Sequence, residues 1–230
     1  MLDDLVQQYS ADHILVAKTD VTQRQDVLQA FALAKSAFGH IDVVFNNTRY
    51  AGLGEAESVE DADAHALLAT NFWGAVSVTR EAIKFFRESN PPGVAVASSR
   101  CHPCLASLAH PVWLSTLRRN MITILEPGFF QTEVANVARW SPAHPAYLKP
   151  TLPSSAMRAE WDSFVLSGDP TKAAEAFYRA ATLPDPPLHL ILGRDAIGLA
   201  KKMAAVLQDT AARFEHWSDD LELTSENGTA

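Results

Sequence analysis

Cysteine is scarce in this sequence. Two cysteines in 230 residues cannot build a disulfide framework, and both sit in one C-x-x-C, Cys101 and Cys104, within "SSRCHPCLASLAHP". Basic residues are outnumbered: 19 Lys and Arg against 27 Asp and Glu give a net charge of −8, which argues against a nucleic-acid-binding surface. Long apolar runs are missing too. "HILVA" and "MITIL" are far shorter than a bilayer span, so no membrane partner is expected. No charged-then-apolar leader opens the chain, which points to a cytoplasmic protein and makes "NNT" and "NGT" chance matches to a glycosylation triplet. Glycine is thin: among ten residues, "AGLGEA" (51–56) is the nearest approach to a phosphate-binding loop, and it follows the wrong strand.

What is there is an alternation of short β-branched runs with longer amphipathic stretches. "HILVA" (13–17), "IDVVFN" (41–46), "VAVAS" (94–98), "MITILE" (121–126) and "LHLILG" (188–193) read as strands. Between them, 23–39 carries Val27, Phe31, Ala34 and Phe38 at helical spacing and stops at Gly39. Further helices are expected over 61–89, which two prolines end, over 170–182, and over a last stretch that finishes near Phe214. Continuous apolar strands alternating with helices predict an α/β fold with a mostly parallel sheet covered on both faces. No repeat or internal boundary appears, so residues 1–217 read as one domain and 218–230 as a polar tail without structure.

Five strings stand in a telling order: "TDVT", "FGHIDVVFNN", "NFWGAVSVTREAI", "GVAVASS" and "ILEPGFFQTEV". Their order and spacing resemble the short-chain dehydrogenase/reductases, Rossmann-type oxidoreductases that use NAD(P)(H), and the likeness runs from residue 1 to about 215. The resemblance implies a doubly wound sheet, an NAD or NADP cofactor and a small alcohol or ketone substrate. It implies adenine contacts at Asp20 and Val21, and a turn beside the cofactor at Asn46 and Asn47. Asn71 would hold a water of the proton relay and Ser99 would orient the substrate oxygen. Pro127, Gly128 and Thr132 would flank the nicotinamide, and no metal is implied. Each position also has a plain structural reading: Thr22 capping a helix after Asp20, Asn46 and Asn47 satisfying a turn, Ser99 a loop serine, Pro127-Gly128 an ordinary turn.

Two family elements are not in this sequence. The Gly-rich pyrophosphate loop is not among these residues, since the chain opens at the helix before "HILVA"; relative to the family it reads as truncated at its N-terminus. The Tyr-x-x-x-Lys pair is also lacking: no tyrosine lies between Ser99 and Pro127, and none of the four tyrosines is followed four residues on by lysine. Only 26 residues lie between Ser99 and Glu126, short of the family's spacing by roughly fifteen, about four helical turns. "RCHPCLASLAHPVWLSTLRRN" therefore reads as two ends of a longer segment joined together. Within it the C-x-x-C reads as a pair of bystander residues. "LASLAHP" is a poor start for the helix that would activate a thiol, and His102 with His110 gives no standard zinc spacing. Arg49 replaces a small residue of the family's Asn-Asn-Ala-Gly turn and crowds the cofactor unless it pairs with a phosphate.

These readings predict an oxidoreductase by ancestry that does not turn over as this chain, a pseudoenzyme. A binding or regulatory partner of an intact relative, associating through the helix 61–89 as a homo- or hetero-oligomer, is the alternative, and a thiol redox protein using Cys101 and Cys104 is a third reading. The sheet is expected to be five-stranded, ordered "HILVA", "IDVVFN", "VAVAS", "MITILE", "LHLILG", with the first two paired directly and "HILVA" as the outer edge.

Overall fold

The computed structural model describes residues 2–89, 96–100, 121–133, 138–163 and 166–222. Four parallel strands form its main sheet: β1 (Val43–Asn46), β3 (Val96–Arg100), β4 (Met121–Pro127) and β6 (His189–Leu192), in the order β1-β3-β4-β6. The register carries one row straight across it, from Asn46 to Ser99 to Ile124 to His189. A second, two-stranded sheet pairs β2 (Gly52–Leu53) with β5 (Arg139–Trp140), also in parallel.

Helices cover both faces, as the period-2 alternation of strand side chains requires. α2 (Arg24–Phe38) ends at Gly39, whose φ of 80° suits glycine in a helix stop. With α4 (Ala75–Ser89) it builds one layer, in which Ala82, Phe85 and Phe86 are buried against Phe31, Ile41, Val44 and Ile122. The neighbouring Phe45 points the other way and meets Phe177 of α6 (Pro170–Ala181) with ring centroids 5.5 Å apart. Val44 and Phe45 thus hold opposite layers. Fully burying a side chain such as Phe86 or Leu125 contributes about 1.5–3 kcal/mol, and Leu125 of the central strand, 1% exposed, marks the middle of the sheet.

The helix expected over 61–89 is present as α3 (Asp61–Leu68), a π-helical stretch (Ala69–Gly74) and α4 in unbroken succession. Gly74 closes the π stretch against Val21: a Cβ at residue 74 would lie 2.6 Å from Val21 Cγ2, so only glycine lets the 20–22 turn dock there. The remaining helices are α1 (Asp3–Gln8), α5 (Pro153–Glu160) and α7 (Arg194–Phe214). No helix of the described residues is long and apolar enough to cross a membrane.

One expectation fails. "HILVA" is not a strand and does not pair with "IDVVFN": residues 14–20 carry no regular structure, and β1 ends the sheet with β3 as its one strand neighbour. Its main-chain bonds are those of turns: the amides of His13 and Ile14 donate to Ser10 O and that of Gln23 to Asp20 O, and Leu15 and Val16 are exposed. A β-rich run becomes a strand only where a ladder partner is within reach. Here the segment is drawn to the helix layer instead, by Val21 on Gly74 and by Phe31 on Phe85 across α2 and α4. Among the described residues the main sheet therefore has four strands rather than five, in the expected order for those four. The third strand runs from Val96 to Arg100 rather than over 94–98, with residues 94 and 95 outside the described part. The β2–β5 pair is not among the strands that the sequence predicts. Cys101 and Cys104, with the inferred junction, also lie outside the described residues.

Candidate functional site

The C-terminal ends of β1, β4 and β6 open onto a cleft of about 670 Å³, lined by Thr48, Arg49, Tyr50, Leu53, Asn71, Glu126, Pro127 and Ile191. Leu199, Ala200 and Met203 of α7 form its far wall. In open α/β sheets ligands bind at this end, because the strands stop there and the loops diverge.

Asn71, in the π-helical stretch, is bound to a single peptide unit. Its Oδ1 accepts from Tyr50 N at 2.8 Å, and its Nδ2 donates to Tyr50 O at 2.7 Å. That clamp fixes the chain leaving β1. It leaves one lone pair on Oδ1 and one hydrogen on Nδ2 for a further partner. Below it, Asn46 is buried at the end of β1, with Nδ2 lacking a partner among the described residues, and the register sets Ser99 on β3 beside it. Asn47 is exposed.

On the other side of the cleft the Pro127-Gly128 turn is held from within. Gly128 N donates to Leu192 O at 2.7 Å, and Phe129 N donates to Asp195 Oδ2 at 2.7 Å. Asp195, in the first turn of α7, sits so close that a Cβ at Gly128 would lie 2.1 Å from its Oδ1, so any larger residue there would displace the carboxylate. The Phe129 amide, followed by the amides of Ala196 and Asp195, holds this carboxyl below the usual carboxylate range. One residue before the turn, Glu126 Oε1 meets His189 Nδ1 at 2.7 Å across β4 and β6.

The remaining candidates lie apart from the cleft lining. Asp20 is exposed; its carboxylate accepts from Thr22 Oγ1 at 2.7 Å and Thr22 N at 2.9 Å, and those bonds hold it below its ordinary value. Val21 is buried on Gly74. Thr132 is exposed in the turn after β4. The structure thus brings Asn71 and Pro127 to one cleft over the Asn46–Ser99 row, and leaves Asp20 and Thr132 outside it. Sequence reasoning missed Tyr50, Glu126, His189 and Asp195. Only Asp195 had a local signal, an acid in the first turn of a helix after Gly193. Of the four tyrosines only Tyr50 lines the cleft, and no lysine lines it among the described residues.

The family model described as short chain dehydrogenase matches residues 1–103. An uncharacterized oxidoreductase, C162.03, of Schizosaccharomyces pombe is 35% identical over 209 residues, 82% of this chain and 70% of that protein. Among solved structures, a short-chain dehydrogenase from Streptomyces avermitilis superposes with a TM-score of 0.81 at 23% identity, over 96% of this chain and 85% of that one. A serine dehydrogenase complexed with NADP+ follows at a TM-score of 0.60 and 18% identity, over 82% of this chain and 79% of that one. The solved structures share the fold, and the yeast relative carries the likeness into sequence across most of both chains. On the family-model match and the identity shared with the yeast relative over most of both chains, this chain belongs to the short-chain dehydrogenase/reductase family of oxidoreductases.

Proposed function

We propose that this chain keeps the ligand-binding frame of an NAD(P)-dependent alcohol or ketone oxidoreductase and does not itself catalyse hydride transfer. One observation carries the reading: between Ser99 and Pro127, where the family places its Tyr-x-x-x-Lys, the sequence has no tyrosine. A positioned proton donor is worth about 10²–10⁴ in rate. Asn71, the other proposed catalytic remnant beside Ser99, does not replace it: a carboxamide is neither acid nor base near neutral pH, and both its polar ends are bound to the Tyr50 peptide.

The residues present fit a nicotinamide nucleotide only in part. Bound, that group supplies or takes up a hydride. Arg49 and Thr48 line the cleft and suit a phosphate, Asp20 and Val21 would meet an adenine edge, the Asn46-Asn47 turn would steady the sheet beside the cofactor, and Pro127, Gly128 and Thr132 would flank the nicotinamide half. Against that, the Phe129 amide beside the Pro-Gly turn is already given to Asp195, Val21 is buried on Gly74, and Asp20 lies outside the cleft. The expected outcome is residual, weak nucleotide affinity, short of micromolar (about −8 kcal/mol), without turnover. Titrating NADH and NADPH by fluorescence, then assaying a panel of secondary alcohols and ketones, tests both halves. Robust turnover that Ser99→Ala abolishes overturns the reading.

A second reading has its own support. Trp73 on the 61–89 helix is 60% exposed and Leu68 is exposed near it, as an association surface for an intact relative or a second copy requires. Sedimentation of the chain alone and with such a relative distinguishes the two, and Trp73→Ser should abolish any complex.

A further inference from the structure

α7 is amphipathic, yet it buries no residue. An amphipathic helix ordinarily turns its apolar stripe onto a core, because helices draw most of their stability from such packing. The stripe of α7 lies open: Leu199 is 62% exposed, Met203 51% and Val206 49%, and Thr210 after them is exposed too. Leu199 and Met203 also wall the cleft, whereas Val206 and Thr210 lie beyond it. We propose that this face docks the same helix of a second copy, antiparallel across a two-fold axis. The inference goes beyond the nucleotide reading, and its surface is separate from the one around Trp73.

Spacing points to a helix as the occupant. Residues 199, 203, 206 and 210 follow one another at steps of four, three and four, which keeps one seam turned toward a partner helix. Leu207 sits at the rim of that seam, about 60° around the helix from its middle.

Charge points to a second copy and sets its direction. The first half of α7 carries Lys201 and Lys202; the second carries Asp209 and runs on into Glu215, Asp219 and Asp220. Parallel helices would set like charges side by side. Antiparallel ones set each basic half against an acidic one and oppose the two helix dipoles. Overlapped along their whole length of about 30 Å, the helices bring Met203 to the partner's Val206, Leu199 to the partner's Thr210 and Lys202 to the partner's Asp209. Asp209 lies 3.8 Å from Arg213 on its own helix with both side chains exposed, which leaves room for a second cation. The arrangement is isologous, so every contact is made twice and the pair closes without growing further. Through Leu199 and Met203 it also sets the partner's helix at the rim of the cleft.

The test is sedimentation velocity of the full chain, without nucleotide, over a dilution series. A reversible monomer–dimer equilibrium is expected. Val206→Glu sets a charge in the seam of each copy and should weaken pairing by about tenfold or more. Lys202→Glu and Asp209→Lys should each weaken it several-fold, and the double variant should restore it, as only direct contact between these residues allows. Circular dichroism checks the fold, and if Val206→Glu fails to fold, Thr210→Glu takes its place. A chain that stays monomeric at every concentration, pairing that survives the seam variant, or a double variant no better than the single ones overturns the proposal. Pairing lost in Trp73→Ser but kept in Val206→Glu overturns it as well, in favour of the 61–89 helix. Nucleotide affinity and turnover play no part in these outcomes, so the cofactor reading can fail while this one stands.

Discussion

α4 and α7 are both amphipathic, 15 and 21 residues long, yet the fold treats them in opposite ways. α4 buries Ala75, Val76, Glu81, Ala82, Phe85 and Phe86, whereas α7 buries no residue and exposes Leu199, Met203, Val206 and Leu207. An apolar stripe tells which side of a helix seeks cover; whether cover exists depends on neighbours. α4 lies between the sheet and α2, so its stripe meets Val44 and Ile122 on one side and Phe31 on the other. It even draws in Glu81, which sits 3.6 Å from Arg24 and 3.9 Å from Lys84. α7 leaves the last strand at the sheet's edge, and three of its residues wall the cleft rather than fill a core.

That contrast breaks first at Phe86. Phe86→Ala removes a ring that is 4% exposed in the middle of the α4 layer and should cost about 3–5 kcal/mol, read as a lower midpoint in urea. Asn71→Ala, at the join between α4 and the cleft, deletes both bonds to Tyr50 and should cost about 2 kcal/mol. Faster hydrogen exchange at the Tyr50 amide would place the loss at the clamp.

Asp195→Asn tests the one anchored end of α7. Losing the charge on the Phe129 amide and at the helix start should cost about 1 kcal/mol near neutral pH. The Asp195 carboxyl is held below the ordinary carboxylate value, chiefly by the Phe129 amide. Its contribution is therefore complete above about pH 4 and lost as pH falls through the lowered folded value. Acid titration of the two proteins should show their stabilities converging at low pH; a gap that persists there would mean the aspartate acts by packing. The smallest effect is expected at Leu207, 64% exposed on α7. Leu207→Ala should change stability by less than about 0.5 kcal/mol, and a larger loss would show that α7 is covered in solution.

Much of this architecture is legible in one dimension. Val27, Phe31 and Phe38 at helical spacing with Gly39 after them announce α2, and the runs in 41–46, 121–126 and 188–193 announce three strands of the parallel sheet. Ordered motifs also disclose the family, because the strand ends and turns that build a binding end follow one another at set intervals along the chain. "HILVA" shows the limit of such reading. Its composition is that of a strand, but the state of a strand lies in its hydrogen-bonded neighbour, and no local pattern specifies one.

The candidate site divides along the same line. Asn71 and Pro127 stand out in sequence, as a polar residue inside an apolar helix pattern and as a turn after a strand, and both reach the cleft. Glu126 with His189, Phe129 with Asp195, and Glu55 with Arg158 are separated by 63, 66 and 103 residues. Each pair exists only because parallel strands and the β2–β5 pairing bring distant segments to one place. By itself the sequence determined the helix periods, the apolar strands, the family, and the lack of a tyrosine between Ser99 and Pro127, since these are properties of residue order. The tertiary structure alone decided that Asn71 grips the Tyr50 peptide, that Asp195 takes the amide beside the Pro-Gly turn, and that α4 is core while α7 is wall. Those outcomes turn on which groups meet across space, and hydrogen bonds and burial are set by that proximity rather than by separation along the chain.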